Sequence, residues 1–180
     1  MQNHQALPTA QQKIDAILDA YFAVSDILRE DVSSLLDSKI DENPIWRRAF
    51  IRAVAPLIEG LTNSYLSICH INPDLTPEDR EKVDPDKKLK TSARIKTALE
   101  SIYRQLNISP APDFSRQGWK DAQRMFSARD SLMHPKTIEC LTYKEDDWKR
   151  IYDGSVWLLG EFFRLPDLPG RTSENAAEIS

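Results

Sequence analysis

The sequence predicts an all-α protein, an up-and-down bundle of about five helices, and three observations carry that expectation. Apolar residues recur at spacings of three and four along most of the chain, which marks one buried face of a helix. No segment reads as a convincing strand. Glycine is scarce, at 5 of 180 residues, against a usual share of about 7 %. Sandwiches and barrels use glycine at their turns, and Rossmann and P-loop folds use it to cradle phosphates, so those classes are disfavoured.

Each helix has its own signals. The first is expected from about Thr9 to Asp37, opened by a Thr9/Gln12 capping box after Pro8. Its stripe is Ile14, Ile17, Leu18, Tyr21, Val24, Leu28, Val32 and Leu35. The second starts at Asn43-Pro44, a cap followed by proline at the first helical position, and runs to about Ile71. Pro56 lies inside it and should kink it by removing a hydrogen bond. Asn72 to Asp86 reads as a charged, proline-containing loop in which Thr76-Pro77-Glu78 starts a single turn.

The third helix is expected over Lys87 to Asn107, with Leu89, Ile95, Leu99, Ile102, Tyr103 and Leu106 inward. Pro110 and Pro112 separate it from the fourth, Ser115 to about Met133, which Pro135 stops. The last is expected from near Thr142, with Glu145 completing a capping box, to about Arg164. Its core face is Trp148, Ile151, Tyr152, Val156, Leu159, Phe162 and Phe163, and Gly154 and Gly160 weaken it locally. Helices of this length with short connections pack as a bundle. Residues 1–165 read as one domain and residues 166–180 as a flexible C-terminal tail.

Charge narrows the partners. The net charge is −4, which argues against a protein that coats nucleic acid. The average conceals an uneven distribution. Met1 to Glu42 holds 3 basic and 8 acidic residues, whereas Lys87 to Arg104 holds 6 basic residues against one acidic. Ser115 to Lys136 adds 5 basic residues against Asp121 and Asp130. The third and fourth helices can therefore offer a basic face to phosphates, or simply a solvated face with counter-charges on neighbouring helices.

The two cysteines, Cys69 and Cys140, form no close pair, which points to a reducing cytoplasm and excludes a zinc knuckle or disulfide framework. The N-terminus has no signal-peptide pattern, and no apolar run approaches the ~20 residues of a membrane span. No metal-ligand spacing is present, so no metal or other cofactor is expected. The Asp146-Asp147 pair is explained by capping of the last helix.

The residues that carry chemistry lie in Ala128-Arg129-Asp130-Ser131-Leu132-Met133-His134-Pro135-Lys136. A continuous helix separates Arg129 and His134 by about 140°. Pro135 pushes the preceding residue out of the α region, so His134 should stand where the chain leaves the helix and swing back beside Arg129. Asp130 opposes the dipole of a helix C-terminus, a cost that pairing with Arg129 or His134 would offset. An arginine next to a histidine suits phosphodiester chemistry. Imidazole, with an ordinary pKa of about 6.5, takes a proton from a ribose 2′-hydroxyl or protonates a leaving oxygen. Guanidinium grips the scissile phosphate through its planar fork. One histidine per chain supplies only one of the acid and base, and a two-fold dimer supplies both.

Arg129-Asp130, three residues, then His134, late in a helical bundle, resembles the signature of the HEPN superfamily. That resemblance implies a metal-independent endoribonuclease with Arg129 and His134 catalytic and Asp130 as polar support. It also implies a homodimer with a shared cleft, products ending in a 2′,3′-cyclic phosphate, and an antitoxin or antiphage-defence partner. Lys136 stands where one subgroup of the family carries a tyrosine. Lys120, Arg124 and Lys136 lie near the motif as candidate RNA contacts. The alternative is an inactive HEPN-like module that binds RNA or a partner protein. Of the other histidines, His4 reads as incidental and His70 as an ordinary helix-end residue.

Overall fold

The structure is a computed structural model that describes residues 9–38 and 43–164. It is all-α: the described residues form six α-helices and one 3₁₀ turn, with no strand among them. The helices are α1 (Ala10–Asp37), α2 (Pro44–His70), α3 (Pro77–Lys82), α4 (Thr91–Gln105), α5 (Gln117–Met133) and α6 (Glu145–Phe163), the 3₁₀ turn being Ile138–Leu141. The expectations for His4 and for the tail, and those for the side chains of Ile14, Ile17, Leu18, Tyr21, Val24 and Cys140, lie outside what is described.

Local chemistry explains several helix ends. Thr9 and Gln12 form the reciprocal capping box at the start of α1, and Asn43 accepts from the Ile45 amide ahead of Pro44. Thr76 caps α3 by accepting from the Asp79 amide. At the other end of α4, Asn107 adopts a left-handed φ of 52°. The Ile108 amide then reaches back 2.9 Å to the Tyr103 carbonyl and the Asn107 amide 3.3 Å to that of Arg104. This paired closure is the Schellman arrangement, and asparagine tolerates the left-handed position better than most residues.

Helix α2 forms the centre of the core, with Phe50, Ile51, Val54, Ile58 and Leu61 fully buried. It continues through Pro56 to His70. Helix α6 runs in the same direction as α2: Arg47 pairs with Glu145 at one end, and Tyr65 packs on Phe162 at the other. Between them, Trp46 stacks on Phe50, and Trp148 meets both rings edge-on at 5.5 and 5.6 Å. Helix α5 lies antiparallel to α6, Gly118 opposite Trp157 and Asp121–Ala122 opposite Gly154. Helix α4 lays Ile95, Leu99 and Ile102 into the core and reaches α6 through the Tyr103 hydroxyl, which donates to the Glu161 carbonyl at 2.7 Å.

Several expectations are corrected. Helix α4 starts at Thr91 rather than Lys87, so Leu89 sits ahead of it, 38 % exposed. Helix α5 starts at Gln117 rather than Ser115, because Ser115 instead donates its amide and hydroxyl to the Asp113 carboxylate. Leu106, Val156 and Phe163 are not core residues; each is at least 36 % exposed. The second capping box does not form. Lys144, not Thr142, occupies the cap position of α6, and the Glu145 carboxylate accepts from the buried Arg47 guanidinium at 2.5 Å. Arg47, buried at 6 % exposure, also donates to the Tyr143 carbonyl at 3.3 Å, so this long-range contact ties the start of α6 to α2.

Candidate active site at the end of helix α5

The last turn of α5 carries the Arg129–His134 motif. The His134 amide donates 3.0 Å to the Asp130 carbonyl, closing the final turn. His134 then leaves the helix with φ −132° and ψ 62°, outside the α region as the following Pro135 requires. Its side chain is exposed, and among the described residues its ring makes no hydrogen bond or ion pair. Of the two partners expected for Asp130, Arg129 or His134, the structure shows Arg129.

Arg129 is held instead. One outer amino group, Nη1, donates to Asp130 Oδ1 at 2.9 Å. The other, Nη2, donates to Glu59 Oε1 on α2 at 2.6 Å. The Asp130 pair is local and exposed, so it contributes little stability, roughly 0–1 kcal/mol. It does supply the counter-charge that a carboxylate in a last helical turn needs. The Glu59 pair spans two helices and is the shorter.

Each of the two carboxylates lines a depression. One, of about 200 Å³, is lined by Glu59, Thr62 and Asn63 of α2 with Thr91, Arg94 and Ile95 of α4. The other, of about 420 Å³, lies between Lys90, Thr91 and Ser92 at the start of α4 and Gln123, Ser127 and Asp130 on α5, over Phe126. Thr91 lines both. Arg129 thus bridges a residue of one depression to a residue of the other. Helix α4 begins without a side-chain cap, so its first amides remain available to an acceptor at this junction.

Of the remaining candidates, Arg124 and Lys120 do not converge on this point. Arg124 leans towards the start of α6, 3.8 Å from Asp147 and 3.7 Å from Asp121. Lys120 lies fourteen residues before His134, about 21 Å along the axis at 1.5 Å per residue. Lys136 is exposed just beyond Pro135. The basic stretch around α4 is partly neutralised, with Lys87 paired to Glu81 and Lys96 to Glu100. Arg94 donates to Asn63 Oδ1 and the Lys87 carbonyl. Lys90 and Arg94 are the basic residues of this stretch that line the two depressions.

Sequence reasoning missed Glu59, which is 70 positions from Arg129. Its one signal is that it is the single charge in the apolar run Val54 to Leu61. His70 takes a structural place. Its Nδ1 donates 3.2 Å to the Arg80 carbonyl, while the Arg80 guanidinium donates to the His70 and Asn72 carbonyls at 2.8 and 3.0 Å. This reciprocal clamp ties α3 to the end of α2.

Cys69 is fully buried, and burial pushes its thiol up to about 12. A thiol, not a thiolate, is then present at neutral pH, and it is inert as a nucleophile. Iodoacetamide at pH 8 should leave Cys69 unmodified in the folded protein and label it after unfolding in urea, as read by peptide mass. Labelling of the folded chain at Cys69 would show that the core opens there.

Among the described residues, no group of three or more His, Cys, Asp or Glu side chains is placed to hold a metal ion, and no helix is long and apolar enough to cross a membrane. Comparison with known proteins finds no matching family model, curated protein or solved structure.

Proposed function

We propose that this chain is a metal-independent endoribonuclease of HEPN type, acting in the cytoplasm as a homodimer whose two motifs share one cleft. The observation that carries this reading is the last turn of α5. There a guanidinium fixed by two carboxylates and an exposed histidine with no hydrogen-bond partner among the described residues share one helix end, beside a depression lined mostly by polar side chains. Arg129 has five N–H donors, of which the two carboxylates engage two, leaving Nε–H and one hydrogen on each amino group for a phosphate. His134 removes the ribose 2′-hydroxyl proton, and the second copy protonates the leaving 5′-oxygen. The product strand ends in a 2′,3′-cyclic phosphate. The partner that restrains such an enzyme is an antitoxin or another protein of a defence system.

A second reading, an inactive helical module that binds RNA or a partner protein, is favoured by one observation. Both outer amino groups of Arg129 already hold carboxylates, which places two negative charges beside any incoming phosphate.

The two are separated by incubating purified full-length chain with end-labelled RNA in EDTA. Cleavage with cyclic-phosphate ends is expected, and His134→Ala should reduce it by about 10²–10⁴-fold, the usual worth of a general acid or base. Intact RNA, or equal cleavage by the variant, would end the nuclease reading.

A further inference from the structure

Resting on that reading, we propose that Glu59 is the positioning residue for Arg129: from the middle of α2, where it lines the smaller depression, it fixes the plane and direction of the guanidinium. Arginine carries long, freely rotating methylene linkages, and a flexible cation loses its advantage in gripping a transition state unless something sets its geometry beforehand.

Asp130 alone cannot set it. It neighbours Arg129 on the same turn, and its side chain is 68 % exposed, so the two side chains can swing together. Glu59 is anchored differently. It follows Ile58, which is fully buried, on the helix that forms the centre of the core, and its contact of 2.6 Å is the tighter. A guanidinium gripped at Nη2 from one helix and at Nη1 from another has its plane defined by two independent points.

Glu59 carries a negative charge and does not itself hold the phosphate, so its effect passes through Arg129. The test is steady-state cleavage of one RNA by the full-length chain in EDTA. Glu59→Ala should lower kcat by about 10²-fold, the scale of an ångström of misplacement, with KM and Tm close to wild type. Glu59→Gln, which keeps an oxygen acceptor at the same reach, should recover most of the loss. Wild-type kcat in Glu59→Ala, or equal losses in both variants accompanied by a fall in Tm, would overturn the proposal.

A second measurement does not depend on cleavage. The Nε–H signal of Arg129 in the 15N-labelled chain, assigned with Arg129→Lys, should lose order in Glu59→Ala and keep it in Glu59→Gln. An unchanged signal in Glu59→Ala overturns the positioning role, whereas uncut RNA with a mobilised Arg129 counts against the nuclease reading alone.

Discussion

Gly154→Ala should destabilise this protein by about 3 kcal/mol, the upper end of what overpacking a core costs. A Cβ at position 154 would lie 2.2 Å from the Asp121 carbonyl carbon, 2.3 Å from the Ala122 nitrogen and 2.6 Å from the Asp121 oxygen. All three are backbone atoms of α5, so no side-chain rotation relieves the overlap. The helices must separate, which loosens the packing of Ala122, Met125, Leu158 and Phe162 together. A loss of that size is a large fraction of an ordinary domain's stability of about 5–15 kcal/mol.

Urea unfolding should show a lower midpoint with little change in slope. Gly160 is the control, because a Cβ there would meet nothing within 4 Å. Gly160→Ala removes only the intrinsic penalty of glycine in a helix and should raise stability by about 0.5–1 kcal/mol. Equal midpoints for Gly154→Ala and wild type would show that α5 and α6 do not approach as closely as described.

Arg129→Lys should be nearly as damaging to RNA cleavage as Arg129→Ala, by about 10²–10³-fold in kcat, the scale set by removing one preorganised donor from a transition state. Lysine keeps the charge but presents a compact ammonium in place of a planar fork. It cannot take Glu59 on one amino group, Asp130 on another and still offer N–H groups side by side to a phosphate. Stability should barely move, because Arg129 and both its partners are partly or mostly exposed and such pairs contribute roughly 0–1 kcal/mol. Cleavage rates and Tm measured on the same preparations separate the two effects. Full activity in Arg129→Lys would show that charge alone suffices and that the fork is not used.

Much of the fold was legible because helix signals are local. The Thr9/Gln12 box, Asn43-Pro44 and the Pro135 stop each act within four residues of themselves and lie where the periodicity places a helix end, and Thr76 opens the short α3 inside what reads as a loop. The misreadings share a different cause. Glu145 has the spacing of a capping box with Thr142, yet Arg47, 98 positions away, takes its carboxylate. Val156 fits an apolar stripe, yet among the described residues it stays 46 % exposed. Periodicity shows which residues share a face and is silent on how much of that face a neighbour covers.

The candidate site divides along the same line. Composition, spacing and Pro135 by themselves determined an all-α chain and a helix ending at a histidine, with an arginine and an aspartate one turn back. All of these depend on interactions between residues a few positions apart. Only the tertiary structure decided what the arginine does. It brought Glu59 from α2 to the guanidinium, left the His134 ring exposed, turned Arg124 towards α6 and kept Lys120 about four turns away, at 3.6 residues per turn. It also made Gly154, which reads as a weak point in a helix, the place where two backbones touch. Side-chain reach across packed helices depends on crossing geometry, and that geometry follows from the whole core rather than from any short stretch of residues.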